Sequence, residues 1–591
     1  MALTAEQIEQ QKKQAEELLF SGPETRGFAK GLFFGHFQAS LVFPYPQLRE
    51  GEKDEVEKTV AQVRQFVSEK IDAAAIDRQA DIPQEVVDGL ARLGVLGMTA
   101  PKEYGGRGVS QLGNAKIMDV IGGHCSSTAV FVNAHHSIGI RALLLFGTEE
   151  QKRRWLPDLA SGKKLAAFAL TEPEAGSDAA NVQTTATPSA DGRTFILNGE
   201  KRYITNGGIA QMLTVMARTP DPGNPGESKI TAFLVSPDMP GFEVVEARMD
   251  KCGIRGTATA RLAFHNMPVP AENILGQLGK GLRIALTVLD FGRTTFGASC
   301  TGAAKTCLRA AIAHAKNRVQ FQQPLGEFEL IKKKIVWMAA HAFAMEATTT
   351  QCASFIDRGA DDYMLETAML KVFTTEALWR IVNDTLQIYG GQGYFTRDPY
   401  ERMMRDARIN MIGEGANEVL LAFIALVGMR GVGEHLQGVL KAIKHPIKSW
   451  GTLWRFGTSQ VAARLISPDV PVHSSALKAE VRALSKRVRD FGLAVQTVLR
   501  HFREAVLERQ YVQERIASAA CDLYASSCTL SRLDLLLSHG NHNPAEVERD
   551  VQAGKYFLKL ANRRILKNLD DLWDNDDEET TKTANGFLGT S

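Results

Sequence analysis

No CxxC pair occurs in the chain, and its seven cysteines (125, 252, 300, 307, 352, 521 and 528) are an odd number. This argues against a disulfide scaffold or a zinc site built on paired cysteines, and reduced, mostly buried thiols are expected. An excess of one charge is also missing: 69 Lys and Arg balance 67 Asp and Glu to a net +2. No global polyelectrolyte role follows, nucleic acid is not an expected partner, and any basic surface must be local. No uninterrupted apolar run approaches the ~20 residues of a membrane span; LLAFIALVG, 420–428, is far shorter. There is no GxGxxG between a strand and a helix, no GxxxxGK[ST] and no HExxH. The neighbouring His135 and His136 diverge on a helix, so packing is expected of them and no metal. The opening MALTAEQIEQQKKQAEELLF is rich in Glu, unlike a secretory or mitochondrial leader. A cytoplasmic, bacterial-type chain is expected, or the processed form of a protein of the mitochondrial matrix and inner membrane.

What is present is 591 residues, beyond one hydrophobic core, with an ordinary globular composition. Residues 1–51 read as a polar helix (4–20) and a Gly-, Phe- and Pro-rich arm lying on the body. Helical periodicity fills 52–165, as in VEKTVAQVRQFVSEKI. Over 166–280 it gives way to short β-type runs such as TFILNG and KITAFLV, separated by turn clusters. Residues 281–430 return to long helical patterns that suit a four-helix bundle. A basic connector, 431–470, precedes an extra helical domain, 471–591, whose acidic tail DDLWDNDDEETTKTANG is expected to be frayed. The fold class is thus α+β, mainly α, with a helical, a β-barrel-like and a helical domain in order. That order excludes a doubly wound nucleotide fold.

Four stretches carry more than packing. FALTEPEAGSD, 168–178, offers backbone N–H groups and hydroxyls after a strand; taken alone it is equally a surface turn. KRYITNGG, 201–208, sets an aromatic and a Thr before an NG turn; alone it is a plain hairpin. LDFGR, 289–293, reads in isolation as a surface ion pair between Asp290 and Arg293. In NMIGEGANEVL, 410–420, one carboxylate, Glu414, stands between two glycines, which are poor helix formers. Alone, that Glu would serve the helix dipole.

Together, in this order and spacing, with PKEYGG (101–106), NILGQLGKG (273–281), QIYGGQGY (387–394) and RDARINMIGEGANE (405–418), these stretches resemble the acyl-CoA dehydrogenase family. The resemblance spans about 52–428. GFAKGLFFGHF, VFPYPQL, NAHHSIG and the last helical domain look like its very-long-chain branch and the paralogue there that assists complex I assembly. The resemblance implies FAD, a fatty acyl-CoA substrate oxidised to the trans-2-enoyl thioester, and electron-transferring flavoprotein as acceptor. Glu414 is then the base for the α-proton, its pKa raised by desolvation, with its backbone N–H and a flavin hydroxyl polarising the thioester. Some members carry the base immediately before the Arg of the LDFGR-like motif; here that position is Gly292, which leaves Glu414.

By the same resemblance Phe168, Leu170, Thr171, Tyr203, Thr205 and Asn417 contact the flavin, and Ser177 the flavin or the CoA arm. Asp290, Arg293 and Gly415 face substrate, and Arg293 is expected to steady Glu414. Arg318, Phe321, Gln387 and Gly391 reach the FAD of a neighbouring subunit, which implies a homodimer. Tyr203 stands in place of a Trp, Gln322 of a Gly, Gly413 of an aromatic and Ala416 of a Thr; small residues around Ala134 suit a deep acyl tunnel. Lys441, Lys444, Lys448, Arg455 and Arg464, with Trp450, Trp454 and Phe456, suit contact of 440–464 with an anionic membrane. The competing readings are an acyl-CoA oxidase using O2 and an assembly scaffold with vestigial activity.

Overall fold

The computed structural model describes residues 27–221, 223–360, 362–443, 466–538 and 543–590. The polar helix expected over 4–20 and most of the basic connector, 444–465, lie outside them. The first helix among the described residues, α1 (Phe28–Phe33), belongs to the arm expected to lie on the body, and it is built into the body's core. Phe28, Leu32 and Phe33 are fully buried in a core shared with the bundle and the last domain. Every residue of this short helix but Lys30 is buried, and Lys30 pairs with Asp362 at 2.7 Å.

Helices α2 (Glu50–Lys70), α3 (Ala73–Gln79), α4 (Gln84–Arg92), α5 (Gln111–His124), α6 (Ser126–Val132), α7 (Arg141–Phe146) and α8 (Glu149–Ala160) form the helical layer before the sheet. Between α6 and α7 the chain continues as a π-helix, Asn133–Ile140, buried throughout. A π-helix of two turns is rare and costs hydrogen-bond geometry, so its position matters.

Strands β1 (Ala166–Ala169), β2 (Thr185–Pro188), β3 (Thr194–Thr205), β4 (Met212–Asp221), β5 (Asn224–Val235), β6 (Phe242–Glu246), β7 (Thr259–Pro270) and β8 (Ile274–Leu275) form one sheet. Its order is β6-β7-β3-β2-β4-β5-β8, with β1 beside β4 in parallel. β2 separates β3 from β4, so YITNGG does not close a simple hairpin. Alternation sends Leu213 and Val215 to the rolled interior with Phe195, Phe233 and Phe264, and Met212 and Met216 to the opposite face. That opposite face also carries Phe168 and Leu170, and packs on Ile138 of the π-helix and on Val288 of the next helix.

The bundle consists of α9 (Gly281–Asn317), α10 (Glu329–Asp357), α11 (Met364–Tyr389), the short α12 (Tyr400–Arg408) and α13 (Asn417–Ile443). α13 overruns the expected end of the bundle at 430. Two helical stretches, Ser126–Phe146 and Asn417–Gln437, are long and apolar enough to cross a bilayer, with mean hydropathy 1.3 and 1.6. Uninterrupted runs do not show them, because polar residues such as Asn133, His135 and Arg141, or Glu418, Arg430 and Glu434, break the runs while the mean hydropathy stays high. Both contribute to protein cores: Phe131 and Val132, and Leu420 and Ile424, are buried.

Helices α14 (Lys478–Phe502), α15 (Gln510–Ser538), α16 (Pro544–Asp570) and α17 (Asp577–Leu588) form the last domain. The acidic tail is therefore helical, not frayed. Arg515 holds it with two hydrogen bonds to Asp577, 2.8 and 2.6 Å.

Candidate active site

Glu414 sits in the turn between Ile409–Met411, a 3-10 turn, and α13. Its φ is +57° and that of Gly415 +95°. Two successive left-handed residues reverse the chain, a conformation that disfavours a non-glycine residue by roughly 1–2 kcal/mol. The turn is tied from outside. Lys371 of α11, fully buried, donates to the Gly415 carbonyl (2.7 Å) and to Asn417 Oδ1 (2.8 Å). Asn417 Nδ2 donates to Thr375 Oγ1 and Glu376 Oε1 at 3.1 and 2.8 Å. The Asn417 carboxamide is thus spent inside the chain. It is the lock on this turn.

The Glu414 carboxylate enters a gap between the π-helix and α9. Asn133 Nδ2 donates to Oε1 at 2.9 Å, while Oε2 is buried with no partner. A Cβ built on Gly292 would lie 2.9 Å from Oε2, with Ile138 at 3.1 Å. Position 292 therefore faces the same spot as the Glu414 side chain, as an alternative base there would have to. Burial pushes Glu414 up to about 7, against the opposing pull of Arg293, Lys371 and the Asn133 amide. Lys371 is pushed down to about 8, also by burial, with Glu414 working against it.

Asp290 and Arg293 are not a surface pair. Both are buried, with Nη1 to Oδ1 at 3.2 Å, and Thr367 Oγ1 donates to the same Asp290 oxygen at 2.7 Å. Desolvation raises Asp290 to about 6. Arg293 Nε is buried without a partner, so the site holds an unused donor besides two unused acceptors, Glu414 Oε2 and Asn133 Oδ1.

On the sheet side, β3 carries one extra residue against β7 between Lys201 and Ile204. This bulge re-aims Tyr203, whose φ is +60° and whose ring is 56% exposed, the geometry of an aromatic presented to a ligand. The loop after β1 is pinned by a buried ion pair, Lys201 Nζ to Glu172 Oε1 at 2.5 Å. Lys201 also reaches the Leu170 carbonyl at 3.2 Å, and Arg202 N–H reaches that of Thr171 at 2.8 Å. Phe168, Leu170, Thr171, Tyr203 and Thr205 thus gather at one edge of the sheet, with Ser177 exposed further along the loop. Thr214 Oγ1, opposite Phe168 in register, and Asn206 Oδ1, beside Thr205, are buried and unpartnered. A planar heterocycle with polar edges fits such a place.

Arg318, Phe321, Gln387 and Gly391 do not join this site. They are exposed near the far end of the bundle. At 1.5 Å per residue, Arg318 stands about 38 Å along the bundle from Arg293. His135 and His136 are structural. Ala166 N–H donates to His135 Nδ1 at 2.9 Å, and its Nε2 meets the Leu159 carbonyl at 3.1 Å. Thr99 N–H donates to His136 at 3.0 Å. Burial lowers both well below ordinary histidine, His135 to about 4, so they stay neutral. His135 fastens the π-helix to β1, and so fixes Asn133 relative to Phe168.

Asn133, Lys371, Glu172 and Lys201 escaped the sequence reading. A signal was there for two of them: VFVNAHHSIG and TAMLKVF place Asn133 and Lys371 directly beside apolar residues of a helical pattern.

Three family models tile the chain: the acyl-CoA dehydrogenase N-terminal domain over 53–163, the middle domain over 167–267 and the C-terminal domain over 279–428. A fourth, the ACAD9/ACADV C-terminal domain, matches 475–586. The chain belongs to the acyl-CoA dehydrogenase family. It is 34% identical over 567 residues to the rat very long-chain specific acyl-CoA dehydrogenase, mitochondrial, covering 94% of this chain and 86% of that one. It is 34% identical over 608 aligned positions to the probable acyl-CoA dehydrogenase FadE10 of Mycobacterium tuberculosis, covering 98% and 91%. Among solved structures it is similar to an acyl-CoA dehydrogenase from Bacillus anthracis complexed with FAD, at TM-score 0.78 and 26% identity over 94% of each chain.

Proposed function

We propose that the protein oxidises long- or very-long-chain fatty acyl-CoA to the trans-2-enoyl thioester, with Glu414 as the base that takes the α-proton. The observation that carries the reading is the free, buried Oε2 of a carboxylate whose pKa lies near 7. A base for a weakly acidic C–H needs a pKa close to working pH and an uncommitted lone pair, and Glu414 has both. Arg293 and Lys371 keep it ionised as the acyl chain dries the gap. The Glu414 N–H donates to no backbone acceptor among the described residues, and it is the donor for the thioester oxygen. FAD bound against Phe168, Leu170, Thr171, Tyr203 and Thr205 supplies the acceptor of the β-hydride, which no side chain can be. Electron-transferring flavoprotein reoxidises the enzyme.

A homodimer belongs to this reading. Arg318, Phe321, Gln387 and Gly391 are too remote to serve their own site, and Phe321 is 89% exposed and Tyr394 77%. Aromatics so exposed suit a second copy of the chain.

Glu414→Gln is expected to retain FAD and to lose at least 10³-fold in palmitoyl-CoA turnover with an artificial acceptor, an effect of the order of removing a general base. Wild-type flavin bleaching should rise with pH through about 7, as the carboxylate loses its proton. A variant that keeps FAD and a tenth of the activity would refute the base assignment.

A further inference from the structure

Glu414 has two oxygens in unequal surroundings. Oε1 accepts the 2.9 Å hydrogen bond from Asn133 Nδ2, and Oε2 has no partner. Asn133 is itself 3% exposed, and its own Oδ1 is unpartnered. The amide therefore lies in the gap for the carboxylate: it makes no other hydrogen bond that would account for a polar group there. Asn133 opens the π-helix, which is held at both flanks. His135 binds Ala166 and Leu159, and Ser137 Oγ meets Thr295 Oγ1 of α9 at 2.8 Å. The donor is thus mounted on rigid backbone and not on a loop.

We propose that Asn133 is a positioning residue for the base: by pinning Oε1 it leaves Oε2 as the oxygen that meets the α-carbon, and it sets how readily that carboxylate ionises. The inference rests on Glu414 being the base. A hydrogen bond given to the charged form lowers a carboxylate's pKa, so Asn133 works with Arg293 of α9 and Lys371 of α11 against desolvation. The remaining titratable neighbour, Cys300 of α9, is pushed up to about 12 by burial and stays neutral over the range of interest. Lys371, at about 8, is charged at the wild-type midpoint and loses its proton above it in variants and wild type alike, so the effect of Asn133 is read as the difference between their acidic limbs.

The test is single-turnover flavin bleaching by palmitoyl-CoA as a function of pH, on FAD-loaded protein. For Asn133→Leu the midpoint of the acidic limb should move up by about 1–2 pH units, as expected for losing one hydrogen bond to a charged group. At a pH above the shifted midpoint, much of the rate should return. Asn133→Asp, which keeps the shape, should move the midpoint further in the same direction, because a second carboxylate opposes the first. Asn133→Ser, which keeps a shorter donor, should fall between Leu and wild type. FAD content should be the same in all. A Leu or Asp profile that overlays wild type overturns the proposal; if Leu fails to fold, Asp alone decides. Glu414→Gln separates the two ideas. If it remains active, the base assignment fails, whereas an inactive Glu414→Gln with an unshifted Asn133→Asp removes only the role of Asn133.

Discussion

At the residue scale, Gly413 and Gly415 are not equivalent, although they flank the base symmetrically in sequence. Gly415 is left-handed at φ +95°, and a Cβ there would also press on Leu420 at 3.2 Å. Gly413 has no positive φ, and a Cβ there would meet only the Ile409 carbonyl at 3.6 Å. Gly415→Ala should therefore cost about 1–2 kcal/mol from backbone strain. Gly413→Ala should be neutral or slightly stabilising, since it also stiffens the unfolded chain. Denaturant unfolding of the two variants side by side measures the difference. The spacing of glycines around an acid was visible in the sequence. What could not be seen was that only one glycine serves the turn. Nor could Lys371 and Asn133 be read as neighbours of Glu414, because they lie 43 and 281 positions away and nothing in their local patterns names a distant carboxylate.

At the scale of elements, the sequence showed the helix and strand blocks because their hydrophobic periods differ. It misjudged the two ends of the described chain for opposite reasons. The Phe-rich segment 28–33 is too short to show an amphipathic period, yet every residue but Lys30 is buried. Within the acidic tail α17 has no buried residue at all, yet it forms. Its anchor is Arg515, 62 residues earlier, and a carboxylate–guanidinium fork at that separation leaves no periodic trace. Arg515→Leu should raise amide hydrogen exchange across 577–588 by about tenfold or less, in keeping with a partly exposed pair worth roughly 1 kcal/mol. Exchange in α15 should change little. Uniform exchange over the whole last domain would show that α17 carries more of its stability than this geometry allows.

For the whole molecule, the order helical layer, sheet, bundle and last helical domain was legible from blocks of periodicity. What was not legible is which residues of a block serve which site. Arg318 and Phe321 belong to the same long-helix region as Arg293 but stand at its other end. If they complete the flavin site of a second copy, Phe321→Asp should couple two losses. The protein should elute as a monomer, and its flavin absorbance per chain should fall several-fold together with the dimer fraction. A flavin-replete monomer would separate cofactor binding from assembly.

The burial of Phe28 and Phe33 has a consequence for how the chain is made. Phe28 lies 6.2 Å from Tyr524 and Phe33 5.1 Å from Phe491, ring centre to ring centre, while the Ala29 amide is held by Glu366 at 2.7 Å. Residues 28–33 thus find their seat only after α14 and α15, which carry Phe491 and Tyr524, have emerged. Until then, the apolar seam between α1 and the last domain stays open. Removing α1, or α14 with α15, would expose that same seam, and a chaperone that shields one side of it during synthesis would in effect be waiting for the other.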